Sequence, residues 1–288
     1  MAVAARATAV FGLVFGLAAT ASALAPALDQ PVQGGAPAER GSQESLVTAK
    51  YPTGPCDLIG GTLAMARDQH PTSVEQIGES VLGRPIQAEH WGPADGPQML
   101  VVASIHGDEC SPVAFTRAVR EFGPQSPVGI WLIPVLNPDA YVVGNRYNAA
   151  GADINRDGYF LSQPESRALI EFTRRIQPIL SLHVHSPMAA VSAYGPPIGH
   201  VAARAMTEAS GWRLAHDYSV LPPEAWYLWW GQVAAWPGGG TVLVEMNPVT
   251  PTEALEAHTR GQLVTLDYAE EQAKVALAGA VATVTAVG

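Results

Sequence analysis

His106 and Glu109 stand three positions apart, directly after the apolar run 99–105. An imidazole and a carboxylate at that spacing on a strand-to-helix turn reach one cation together. A catalytic zinc ion takes three protein ligands and keeps a further position for water, so one more ligand is expected at another strand end. His183 and His185, which close the apolar run 179–182, are the two candidates. The H-x-x-E spacing alone is common by chance, and the weight comes from a second strand end that also carries histidine. Glu245 ends a third apolar run, 241–244. A carboxylate there is either functional or paired with a cation. An activated water with a base beside it is what hydrolysis requires.

Those residues need strand ends to hold them. Apolar runs at 99–105, 130–135, 179–182 and 241–244 alternate with helix-like segments at 112–122, 164–176 and 201–210. Continuous apolar strands between amphipathic helices predict an α/β fold: a mixed, mainly parallel central sheet with helices on both faces. In such sheets ligands bind at the carboxyl ends of the strands. Residues 251–277 read as a long terminal helix with a break at Gly261, and 278–288 as a frayed or loosely packed tail too short to cross a bilayer. No internal repeat is visible.

The chain has 288 residues, 48% hydrophobic and 15% charged, enough for one large core and too apolar for disorder. Residues 1–23 carry one basic residue, Arg6, then an uncharged apolar stretch, then Ala21, Ser22 and Ala23. That is the layout of a signal peptide, the alternative being an uncleaved anchor. Residues 24–45, rich in Pro, Gly, Ala and Gln, read as a flexible linker, and 46–288 as the catalytic domain. The expected location is therefore exported, periplasmic or secreted, with no stable membrane span after cleavage. The formal charge of −10 and the lack of any basic run exclude nucleic acid as a natural partner. Cys56 and Cys110 allow one disulfide in an exported protein or two separate thiols.

A wider set of residues carries a resemblance. Residues 77–86, the turn from His106 to Glu109, Asn137-Pro138-Asp139, Arg146 followed by 151–156, and Val184 to Pro187 occur in the order seen in zinc metallocarboxypeptidases. Over residues 74–248 the chain resembles that superfamily, and within it looks most like the bacterial murein peptide amidases and related D,L-carboxypeptidases. The resemblance implies the zinc carboxypeptidase-like fold and one zinc ion per chain, held by His106, Glu109 and His185. His183, on the same strand face, is then a supporting donor or the rival third ligand. It further implies Glu245 as the base, Arg146 as the group polarising the scissile carbonyl, and Asn155 with Arg156 as the holders of a free substrate carboxylate. Asp153 reads as a structural loop residue. The implied partner is a small peptide or muropeptide.

The pattern departs from the family at Ala140, where glycine is usual, at Asp157-Gly158, where Asn-Phe is usual, and across 221–231. In that last segment Tyr227 or Tyr218 is the candidate for a tyrosine that closes over substrate, while Trp226, Tyr227, Trp229 and Trp230 read as core or lid wall. Three other readings compete: a general exported metallocarboxypeptidase, an acyl-amino-acid deacylase of the desuccinylase or aspartoacylase type, and a zinc-binding interaction domain without catalysis. Glu245 and Arg146 weigh against the last. The leader and the Asn155-Arg156 pair weigh against the deacylase.

Overall fold

Strand β3 (Gln98–Val102) is buried from Met99 onward, with Met99 and Val101 in one apolar cluster and Leu100 and Val102 in another. Such a strand lies inside a sheet covered on both faces. In the computed structural model, which describes residues 51–59, 63–66, 68–218, 227–256 and 263–287, its two neighbours are β4 (Gly129–Ile133) and β5 (Leu180–His185), both parallel to it. On the β4 side follow β2 (Pro85–Trp91) and β1 (Ser73–Glu79), each antiparallel to its neighbour. Beyond β5 lies β8 (Gly240–Glu245), parallel to it; then come β6 (Ala190–Tyr194), antiparallel to β8, and β7 (Arg213–Tyr218), parallel to β6. The eight strands run in the order β1-β2-β4-β3-β5-β8-β6-β7. Parallel pairing is concentrated at the centre, where the expected site lies.

Helices α1 (Pro112–Phe122), α4 (Pro197–Ser210) and α7 (Leu266–Val287) feed one apolar cluster, and α3 (Pro164–Ile176) and α5 (Leu228–Ala235) feed the other. This is the predicted mixed sheet between two helical layers. Two short helices, α2 (Pro138–Val143) and α6 (Pro251–Glu256), border the carboxyl ends of the central strands.

One expectation is overturned. Residues 278–287 are not a frayed tail: α7 continues to Val287, with Ala280, Val281 and Val284 buried. Small residues let this helix lie close to α4, where a Cβ on Gly279 would come within 2.9 Å of the Ala205 carbonyl oxygen. Length alone ruled out a membrane span but did not reveal a packing partner. The expected helix 251–277 is instead two helices, α6 and α7. Its break at Gly261 lies outside the described residues, as do the leader 1–23, the linker 24–45 and Trp226.

Cys56 and Cys110 form a disulfide, resolving the choice the sequence left open. It ties the short 3-10 turn Pro55–Ile59 to the residue next to Glu109. A buried ion pair fastens the same flank. Arg120 donates through Nε to Glu89 Oε2 at 3.0 Å and through Nη2 to Oε1 at 2.5 Å, and its Nη1 reaches the Leu63 carbonyl at 2.6 Å. Among the described residues no helix is long and apolar enough to cross a membrane.

Candidate active site

The chain leaves β3 through a bend at Ser104, with φ of 45°, and reaches α1 by way of His106 to Cys110. Gly107 is required in this bend, because a Cβ there would stand 2.1 Å from the Ala140 carbonyl carbon at the start of α2. The close approach lets Gly107 N donate to Asn145 O at 2.8 Å, while the Asn137 amide donates to Ile105 O at 3.3 Å. The Asn137-Pro138-Asp139 turn therefore braces the His106–Glu109 turn from the neighbouring strand end.

Glu109, 3% exposed, sits between two imidazoles. Its Oε1 is 2.6 Å from His106 Nδ1 and its Oε2 is 3.0 Å from His185 Nδ1. One ligand atom from each of the three residues lies within 4.8 Å of the others, which could hold a metal ion. The donor set passes a stricter test. His106 Nε2 faces Asp153 Oδ1 at 3.1 Å, and a carboxylate only accepts, so Nε2 carries the proton. In the metal-free protein a second proton on Nδ1 bridges the ring to Glu109. When the ring is neutral, Nδ1 turns a lone pair toward that carboxylate, and two acceptors that close need a cation in the proton's place. A cation bound by all three groups meets that need.

The electrostatics follow from the same contacts. Burial pushes the Glu109 carboxyl up, but His106 and His185 outweigh it and hold the group well below the usual carboxylate range. Burial lowers His106, yet Glu109 and Asp153 together raise it to about 9 in the metal-free protein. His185 shares one carboxylate only, and burial wins, lowering it.

His183 is placed differently. It is fully buried, its Nε2 is bonded to Gln232 Oε1, and Gln232 Nε2 donates onward to Thr173 Oγ1 at 2.9 Å. Burial lowers its pKa to about 3, so the ring is neutral, and it is not in the group that can share an ion.

Glu245 ends β8 directly opposite His185 on β5. Its Oε2 is buried without a hydrogen-bond partner among the described residues. Desolvation, then the negative charge of Glu109, raises its pKa to about 8. A carboxylate in that state readily exchanges a proton near neutral pH.

Arg146 follows the left-handed Gly144 that ends α2. Its Nε and Nη2 both donate to Asp153 Oδ2, at 3.0 and 2.9 Å, which leaves Nη1 turned inward, 3.3 Å from His106 Nδ1. Asp153 is thus more than a loop residue: it orients His106 with one oxygen and Arg146 with the other, and its carboxyl is held low, chiefly by His106, against the effect of burial. The backbone N–H of Asn155 also donates to Asp153, at 3.0 Å, and its side-chain Oδ1 is buried without a partner among the described residues. Arg156 is exposed and lies over the Tyr227 ring, 4.3 Å from its centre. Tyr227 stacks on Trp229 and Trp229 on Tyr194, so an aromatic wall runs from Arg156 to β6. Tyr227 serves here as wall and arginine support. Nothing in the sequence pointed to its contact with Arg156.

Comparison with known proteins finds likenesses in sequence and in fold. Residues 95–180, which include His106, Glu109, Arg146, Asn155 and Arg156, match the succinylglutamate desuccinylase/aspartoacylase catalytic domain. Murein peptide amidase A of Escherichia coli K12 is 30% identical, the match covering 43% of this chain and 64% of the relative, so the chain spans just under two thirds of the length of the curated relatives it matches. Among solved structures, a murein-tripeptide amidase from Escherichia coli O157 superposes with a TM-score of 0.51 at 22% identity, covering 73% of this chain and 96% of that one. A metallo-carboxypeptidase from Burkholderia cenocepacia gives 0.57 at 19%, covering 75% and 65%. Carboxypeptidase A from Helicoverpa armigera gives 0.57 at 18%, covering 74% and 69%.

Proposed function

We propose that this chain, which has the fold of the zinc metallocarboxypeptidases and is a relative of murein peptide amidase A, is an exported zinc hydrolase that cleaves an amide bond in short peptides bearing a free carboxylate. The observation that carries the reading is the meeting of His106, Glu109 and His185 beside a buried Glu245 whose Oε2 has no hydrogen-bond partner among the described residues. Two imidazoles and one carboxylate suit a catalytic zinc site. One zinc ion held there supplies Lewis acidity, lowering the pKa of a water and polarising a carbonyl.

The chain's own residues do the rest. Glu245 accepts a proton from the attacking water at its unpartnered Oε2 and returns it to the leaving amine nitrogen. Arg146, fixed on Asp153, aims Nη1 at the oxygen on which negative charge develops. Arg156 and the Asn155 amide hold the substrate's carboxylate, and the Tyr227–Trp229 wall limits where the peptide lies. Peptidoglycan stem peptides fit this requirement, cut at a γ-D-glutamyl–diaminopimelate bond or a neighbouring D,L bond, a substrate class suggested by the amidase relative. The Cys56–Cys110 disulfide suits an exported protein.

A second reading, acyl-amino-acid deacylation, is favoured by the family match over 95–180. Incubating the zinc-loaded protein with defined muropeptides and with N-acyl amino acids, and weighing the products, separates the two. Cleavage confined to N-acyl amino acids overturns the peptide reading.

A further inference from the structure

Glu253, on α6 and 1% exposed, is in none of the catalytic roles above, yet its carboxylate gathers donors from both ligand-bearing segments. Oε2 accepts from the backbone N–H groups of Val249 and Thr250, each at 2.8 Å, and Thr250 Oγ1 accepts from Glu253 N at 3.2 Å. That reciprocal pair is a capping box for α6 and needs only one carboxylate oxygen. Oε1 is left for other work. It accepts from the backbone N–H groups of Cys110 and Ser111, both at 3.0 Å, and from Ser186 Oγ at 2.6 Å. Ser111 Oγ lies 2.9 Å away and divides its one proton between Glu253 and the Asn247 carbonyl at 2.6 Å.

Cys110 follows Glu109, Ser186 follows His185, and Val249 lies four residues beyond Glu245. We infer that Glu253 is a positioning residue for the metal site, clamping the Glu109 turn to the end of the His185 strand while holding the chain that leaves the base. The inference rests on the proposed metal site. Groups that orient metal ligands from outside the coordination sphere typically account for a 10–100-fold share of metal affinity.

Glu253→Gln tests the clamp, because an amide keeps one accepting oxygen for the cap or for the clamp, not both. Zinc affinity of the metal-free variant is measured by competition with a chromogenic chelator, alongside Tm without and with zinc. Zinc binding weaker by about 10–100-fold, with a smaller zinc-induced rise in Tm, supports the clamp. Wild-type affinity together with a lowered metal-free Tm reduces Glu253 to a helix cap and overturns the inference. Should Glu253→Gln fail to fold, Ser186→Ala, which leaves the capping box intact, decides the matter: weaker zinc binding supports the clamp, and unchanged binding overturns it. Failure of the wild type itself to bind zinc would instead sink the proposed function.

Discussion

His183 and His185 stand two positions apart on one face of β5, yet only His185 turns a ring nitrogen onto Glu109, at 3.0 Å, while His183 is bound to Gln232. The third-ligand question thus comes down to what each ring faces. We predict that His185→Ala loses stoichiometric zinc and that His183→Ala keeps it, with metal content read by elemental analysis. Zinc lost only in the His183 variant would reverse the assignment.

Glu245→Gln preserves shape and removes the base. Turnover should fall by several orders of magnitude at unchanged zinc content. Near-normal turnover would place the base elsewhere.

The same carboxyl makes a thermodynamic prediction for the metal-free protein. Its folded pKa of about 8 lies above the ordinary 4.5, so the folded state holds the proton more tightly across that window. Stability therefore falls as pH rises from about 4.5 to about 8. Buried His106, raised to about 9, adds a slope of the same sign above 6.5. Thermal unfolding at pH 5 and pH 8 should show a larger loss for the wild type than for Glu245→Gln. Equal losses would mean that Glu245 titrates normally.

Much of this site was legible because the chemistry sits at strand ends, and strand ends are visible as the last polar residue after an apolar run. His106, Glu109 and Glu245 were singled out that way, and His183 with His185 as a pair; the preference for His185, like the roles given to Arg146, Asn155 and Arg156, came from the family resemblance instead. Asp153 was not, since its task is set by two partners, His106 and Arg146, brought together only by the fold. Strand β1 escaped because Ser73–Glu79 lies at the sheet edge with no fully buried residue, and edge strands carry little apolar pattern. Strand β2, inside the sheet and mostly buried, escaped because Gln87, Glu89 and His90 break up its apolar run. Thr250 and Glu253 have the spacing of a capping box, but nothing local shows that the second oxygen reaches residues more than sixty positions away. The tail 278–287 was misread for a similar reason: its helix is held by α4.

The disulfide closes a long loop, its cysteines lying 54 positions apart. Removing it by Cys56→Ser should cost about 4 kcal/mol of stability on the chain-entropy model, measured by urea unfolding. A change below about 1 kcal/mol would mean that the unfolded chain gains little freedom from its loss.

Substrate anchoring by Arg156 predicts a linked pair of losses. Amidating the free carboxylate of the peptide should lower kcat/KM of the wild type roughly ten- to two-hundredfold, the loss of a hydrogen-bonded charged contact of about 1.5–3 kcal/mol. The same change should cost Arg156→Ala little more. Equal cleavage of acid and amide by the wild type would contradict the anchoring.

The most direct measurement is a zinc titration of the metal-free protein while it hydrolyses a tripeptide of L-alanine, γ-D-glutamate and diaminopimelate. Activity should be absent without metal, rise in proportion to added zinc and level off at about one equivalent per chain, as a single three-ligand site requires. Full cleavage without metal, or none at any zinc level with this and the other free-carboxylate peptides, would contradict the account.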